Sequence, residues 1–231
     1  MRYFTDEFDF ERGVDVRIHL EEELKDLNIK LLKMGAMVEE IIAVAINSLK
    51  NQDLEMAETV VKLDDQIDQL ELELEQKCML LLALQQPLAS DLRRIGTVMK
   101  IITDLERMGD HSVNISKITL RIGKSKLVTP LVDLPRMAEI AQEMVKGCLN
   151  SFLNEDIELA KEIARKDELV DEIYATIYDR VLKLIEENVE NTQQLTQLLF
   201  VARFVERIAD YTTNICERVI YMITGERVEI N

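Results

Sequence analysis

The chain has 231 residues, 47% of them hydrophobic, which is ample material for a core and excludes a disordered tail. Seven glycines and three prolines are about a third of the share usual in folded chains, so turn-rich all-β folds are excluded as well. A formal net charge of -16 repels nucleic-acid backbones and anionic lipid headgroups and favours metal cations or proteins with basic patches as partners.

The N-terminus, MRYFTDEFDFERG, is acidic and lacks the apolar stretch of a signal peptide. Residues 1–18, with Phe4, Phe8 and Phe10 among acids, read as an N-terminal extension. Beyond them, apolar residues recur at spacings of three, four and seven, as in Ile41, Ile42, Ala45, Ile46 and Leu49, which predicts long amphipathic helices. Helices are expected at 19–50, 53–83 and 89–122, then at 134–153, 156–187 and 192–224. Asn51 and Asn154 are the expected caps of the second and fifth helices. Pro87 suits the first turn after a hairpin, Gly123, Pro130 and Pro135 mark the middle boundary, and Gly225 ends the last helix. No apolar run approaches the ~18 residues of a membrane span. Cys78, Cys148 and Cys216 are odd in number, far apart and set in apolar segments, which predicts buried free thiols in a reducing, cytoplasmic compartment.

The chain repeats itself. A shift of 103 superposes Met34 to Glu71 on Met137 to Tyr174 with 10 identities in 38 pairs, and a shift of 100 superposes ERMGDHSVNI (106–115) on ERIADYTTNI (206–215) with 5 in 10. Short connections make successive helices antiparallel. The expected architecture is all-α: two tandem antiparallel three-helix bundles, at 19–124 and 134–225, joined by a linker at 125–133 and followed by a tail at 226–231. A pseudo-twofold or a pseudo-translation would relate them.

Four acid pairs at i, i+4 spacing carry the candidate chemistry: Asp64 with Asp68, Glu106 with Asp110, Asp167 with Asp171, and Glu206 with Asp210. Any one of them reads as a solvated helix face in so acidic a chain. In an antiparallel hairpin, however, residues at one height have numbers of constant sum. Asp64 with Asp110 and Asp68 with Glu106 both give 174, centred on Pro87; Asp167 with Asp210 and Asp171 with Glu206 both give 377, centred in the next predicted turn. Each hairpin therefore gathers four carboxylates at one level, which is unfavourable without a multivalent cation. Carboxylate oxygens suit Mg²⁺, Mn²⁺, Ca²⁺ or ferric iron, and bridging carboxylates hold more than one ion. Asn114 and Asn214, one turn further on, are possible additional ligands or orienting groups. Gly109 and Ala209 leave room either for ions or for a close helix contact. His19 and His111 do not recur, read as surface or capping residues, and argue against a ferritin-like Glu-x-x-His site. Arg93, Arg94, Arg107 and Arg207 read as surface ion-pairing residues. Phosphate-binding loops and nucleophile–base pairs are absent from the sequence.

The motifs DDQID, ERMGD, DELVD and ERIAD, the segment MGAMVE and the run PLASDLRRIG resemble the PhoU family over about 19–225. The second half departs from it, with TQQLTQLLF where the first has SDLRRIGTV. The resemblance implies a cytoplasmic, non-enzymatic and often dimeric regulator that binds metal, including one multinuclear iron cluster per half, through those acids. It also implies partners: the ATPase subunit of a phosphate transporter and a sensor histidine kinase, with phosphate-starvation genes repressed when phosphate is plentiful. A helical adaptor without metal and a carboxylate-bridged iron oxidoreductase are the alternatives from other classes.

Overall fold

The computed structural model describes residues 4–84 and 87–230, with side chains from Leu20 onward. The described elements are helical: α1 (Phe4–Asn51), α2 (Leu54–Leu84), α3 (Ala89–Ile122), α4 (Asp133–Asn154), α5 (Ile157–Arg165), α6 (Asp167–Glu187) and α7 (Thr192–Thr224), with a 3₁₀ turn at Val189–Asn191. The first bundle is α1, α2 and α3; the second is α4, α5 with α6, and α7. This is the expected six-helix plan, with two changes. The backbone of α1 begins at Phe4, so the anticipated extension continues the helix, while residues 1–3 and the side chains as far as His19 lie outside the described part.

The second change is at Lys166, which divides the expected fifth helix. Lys166 N–H reaches the Ile163 carbonyl and Leu169 N–H reaches the Lys166 carbonyl, a tightening from i−4 to i−3 bonding. Lys166 Nζ ties the break to α4 through Glu143 at 3.0 Å, and Asp167 becomes the first residue of α6. In the first half α2 runs through the matching position unbroken.

The turns after α1 and α4 repeat the same chemistry. Gln52 and Glu155, 103 apart, both take a left-handed conformation, with φ of 50° and 51°. That costs a non-glycine residue about 1–2 kcal/mol. Asp53 and Asp156 follow them and accept from the N–H groups of Met56 (2.9 Å) and Leu159 (3.0 Å). The caps are thus these aspartates and not Asn51 and Asn154, because the left-handed residue carries the chain one step further before helical geometry resumes; Asn154 instead donates to the Asn150 carbonyl.

The two bundles meet through α1 against α4 and α3 against α7, each helix against its own repeat. Pairing of like with like is what a twofold operation generates and a translation does not. Residues on such an axis touch their own counterparts, and two pairs do. Gln142 Nε2 donates to the carbonyl of Glu39, its equivalent at a shift of 103 (2.8 Å), and His111 stacks on Tyr211, its equivalent at a shift of 100 (centroids 5.7 Å apart). The relation is therefore a pseudo-twofold.

One apolar core runs through both bundles, from Leu27, Ile41 and Leu74 to Met144, Phe152 and Val219. At its waist Gly35 lets α1 approach α4: a Cβ there would lie 2.0 Å from Leu149 Cδ1. Cys78, Cys148 and Cys216 are buried free thiols, as expected. Burial pushes Cys78 and Cys216 up to about 12 and Cys148 well above the usual thiol range. The linker is held from both sides. Gln52 Nε2 donates to the carbonyls of Gly123 (3.0 Å) and Ser125 (2.6 Å), and Gln194 takes Val128 N–H at 2.7 Å. Past α7, which Gly225 closes at φ 76°, the tail folds back and Ile230 N–H donates to Glu217 at 2.9 Å. Among the described residues no helix is long and apolar enough to cross a membrane.

Candidate metal centre

In each hairpin, acids from both helices come within electrostatic reach of one another. In the first array α2 supplies Asp64 and Asp68, and α3 runs back past them with Glu106 and Asp110. α3 approaches α2 tightly at Gly109, where a Cβ would stand 2.6 Å from Asp64 Oδ1. That oxygen is buried and has no hydrogen-bond partner. Burial, then the charges of Asp68 and Asp110, push Asp64 up to about 6. Burial, then Asp110, Glu71, Asp68 and Asp64, push Glu106 up to about 7, and burial with Asp110 raises Asp68. Among the described residues none of Asp64, Asp68, Glu106 and Asp110 forms an ion pair.

The second array is built on α6 and α7 and is furnished differently. Asp167 is 2% exposed, at the first position of α6, and shares a cavity of about 470 Å³ with Asp210, Asn214, Thr213, Arg107 and Arg207. Burial, then Asp210, push Glu206 up to about 7 and raise Asp171, and Glu206 Oε2 is buried without a hydrogen-bond partner. Two arginines flank the array on its exposed side. Arg203 pairs with Glu206, and Arg207 pairs with Asp210 at 2.8 Å. Asn214 thus lines the same cavity as two of the acids, while Asn114 lines a separate recess with Lys117, Arg121, Phe200 and Phe204.

Among the described residues, no three acid, histidine or cysteine side chains are placed to hold a metal ion together. The chemistry of the donors nevertheless fits a hard cation. All are carboxylates, two carry a buried oxygen without a partner, and mutual repulsion opposes their ionisation.

Several contributors escaped the i, i+4 search. Glu71 adds a fifth carboxylate to the first array; burial raises its pKa, and its Oε1 takes the Thr103 hydroxyl at 3.4 Å. Glu71 and Thr103 also add to 174, and their counterparts Tyr174 and Arg203 add to 377, so the pairing rule extended by one turn finds all four. His111 is half-buried and not simply a surface residue: it stacks on Phe204 (5.4 Å) and Tyr211 (5.7 Å), and burial followed by Arg207 lowers its pKa. Of the other arginines, Arg94 pairs with Glu155 at 2.5 Å, Arg93 Nε donates to the Met222 carbonyl at 3.1 Å, and Arg107 lies over the Tyr211 ring. Asp104, 1% exposed, is neutralised by Arg218 from α7 and holds the halves together.

The PhoU domain model matches residues 31–119 and 134–219, one copy on each half. The chain belongs to the PhoU family. The phosphate-specific transport system accessory protein PhoU homolog of Clostridium acetobutylicum is 41% identical over 212 residues, covering 91% of this chain and 97% of that one. The protein of the same name from Streptococcus pneumoniae is 36% identical over 90% of this chain and 97% of its own. Among solved structures, the phosphate transport system regulatory protein PhoU from Streptococcus pneumoniae superposes with a TM-score of 0.85 at 35% identity, covering 91% of this chain and 99% of that one. PhoU from Pseudomonas aeruginosa gives 0.85 at 32% identity, covering 89% and 99%. The PhoU fold, two helical bundles in one chain, is thus the fold of this protein.

Proposed function

We propose that this chain is a cytoplasmic, non-enzymatic accessory regulator of phosphate uptake that carries hard metal ions, multinuclear iron foremost with Mg²⁺ or Mn²⁺ as the other candidates, in its two carboxylate arrays. The reading of phosphate uptake rests on the relatives named as transport system accessory proteins. The reading of metal rests on the duplicated arrays, and above all on Asp64 Oδ1, a buried carboxylate oxygen without a partner beside three further acids. Bound cations supply positive charge that cancels this repulsion. Asp64 and Asp68 on α2 would then be held to Glu106 and Asp110 on α3, and Asp167 and Asp171 on α6 to Glu206 and Asp210 on α7. That fixes the angle of both hairpins and thereby the outer surface offered to a partner. The partners in this reading are the transporter's ATPase subunit and a sensor histidine kinase, met by a homo-oligomer, a dimer at its simplest.

Elemental analysis of the purified chain, before and after chelation, tests the metal. Several ions per chain are expected, and Asp68→Asn with Glu106→Gln should remove those of the first array while leaving the second. Unchanged metal content in that variant would sink the assignment of the arrays. Pull-down of the ATPase subunit with and without metal tests the partner, and equal capture by the chelated chain would detach metal from regulation.

A further inference from the structure

The two arrays are related by sequence yet differ in charge. Three differences fall at matched positions. Where the first array has Thr103, the second has Arg203; where the first has Glu71, the second has Tyr174; and where the first has Gly109, the second has Ala209. These differences act together. Arg203 pairs with Glu206, and its guanidinium lies over the Tyr174 ring at 5.8 Å, so the aromatic that replaces an acid helps to hold the cation that replaces a hydroxyl. The methyl of Ala209, fully buried, stands where Gly109 leaves Asp64 its room. On the first side five carboxylates face one another without an ion pair among the described residues; on the second, Glu206 and Asp210 are each paired to an arginine.

We infer that Arg203 is a built-in counterion of the second array, which makes the second array the weaker metal site and the first the one that fills at low metal. The inference rests on the proposal that the arrays bind metal. A guanidinium paired to Glu206 Oε1 repels an incoming cation and occupies one of the two carboxylate oxygens, so metal must displace Arg203 before both oxygens are available. The first array asks for no such exchange. Metal loading should then be stepwise, the first array at low concentration and the second in a higher range, so that the chain passes through a half-loaded state. Arg203 is a positioning residue here, acting through Glu206.

Titration with Mn²⁺, and with Fe²⁺ under anaerobic conditions, tests this, bound ion being counted by elemental analysis after equilibrium dialysis. The intact chain should show two separated binding ranges. In a chain whose first array is disabled by Asp68→Asn and Glu106→Gln, Arg203→Met should tighten the remaining site by about tenfold. Arg203→Lys, which keeps the charge, should not. In the intact chain, Thr103→Arg should weaken the tighter range by a similar factor and bring the two together. If Arg203→Met leaves affinity unchanged while the intact chain binds metal at the first array, the counterion role is overturned and the metal reading stands. If neither ion binds the intact chain or any variant, both fall together.

Discussion

Carboxylates at half-buried and buried positions set an unusual pH response. Asp64 is held near 6, and Glu106 and Glu206 near 7, while an unfolded chain titrates its carboxyls near 4. A raised pKa means that the folded state binds protons more tightly than the unfolded one. Its contribution to stability is therefore fully present below about pH 4 and is lost as pH rises through about 7. The chelator-treated chain should melt higher at about pH 5.5 than at about pH 8, and Glu106→Gln should flatten part of that slope; a steeper slope in the variant would contradict the assigned cause. The eight acids were legible in the sequence because a helix period and a hairpin sum are both arithmetic on residue numbers. Arg207 was read as a surface ion-pairing residue and pairs with Asp210, whereas Arg203 and the His111–Tyr211 stack were hidden, since each sets residues of unlike type at matched positions that a search for identities passes over.

Between helices, the glycines divide by what surrounds them. A methyl at Gly35 would fall on Leu149 Cδ1 at 2.0 Å, where α1 meets α4, whereas at Gly96, within α3, it would meet nothing within 4 Å. Gly35→Ala should destabilise the chain by about 1–3 kcal/mol through overpacking, and Gly96→Ala should stabilise it by up to about 1 kcal/mol through helix propensity. Denaturant unfolding of both variants checks the pair, and equal effects would mean that the α1–α4 contact is looser than described. Element limits were readable wherever a breaker stood, as at Ala89–Ile122 and Thr192–Thr224. The division at Lys166 was not, because changing one i−4 bond to i−3 needs no proline or glycine. The caps were missed by two residues for a related reason: Gln52 and Glu155 take the left-handed turn although neither residue type announces it.

Across the molecule, two bundles share one core, so the thiols report on opening of the whole. Cys78, Cys148 and Cys216 are buried and their thiolates are disfavoured. Reaction with a disulfide reagent should run orders of magnitude slower in the native chain than in denaturant, and chelation should speed it if metal braces the hairpins. Fast labelling of all three in the intact chain would show that the bundles part readily. Of this level of structure the repeat was plain in the sequence but its symmetry was not, since repeats related by a turn and by a slide read the same along a string; Gln142 on Glu39 and His111 on Tyr211 decide between them. The axis has a consequence for inheritance. In a dimer of two identical chains every substitution arrives twice, so both copies of a site change together or not at all. Covalent joining of the halves ends that constraint. A threonine in one half can face an arginine in the other, and one ancestral design can be kept at two different settings within a single polypeptide.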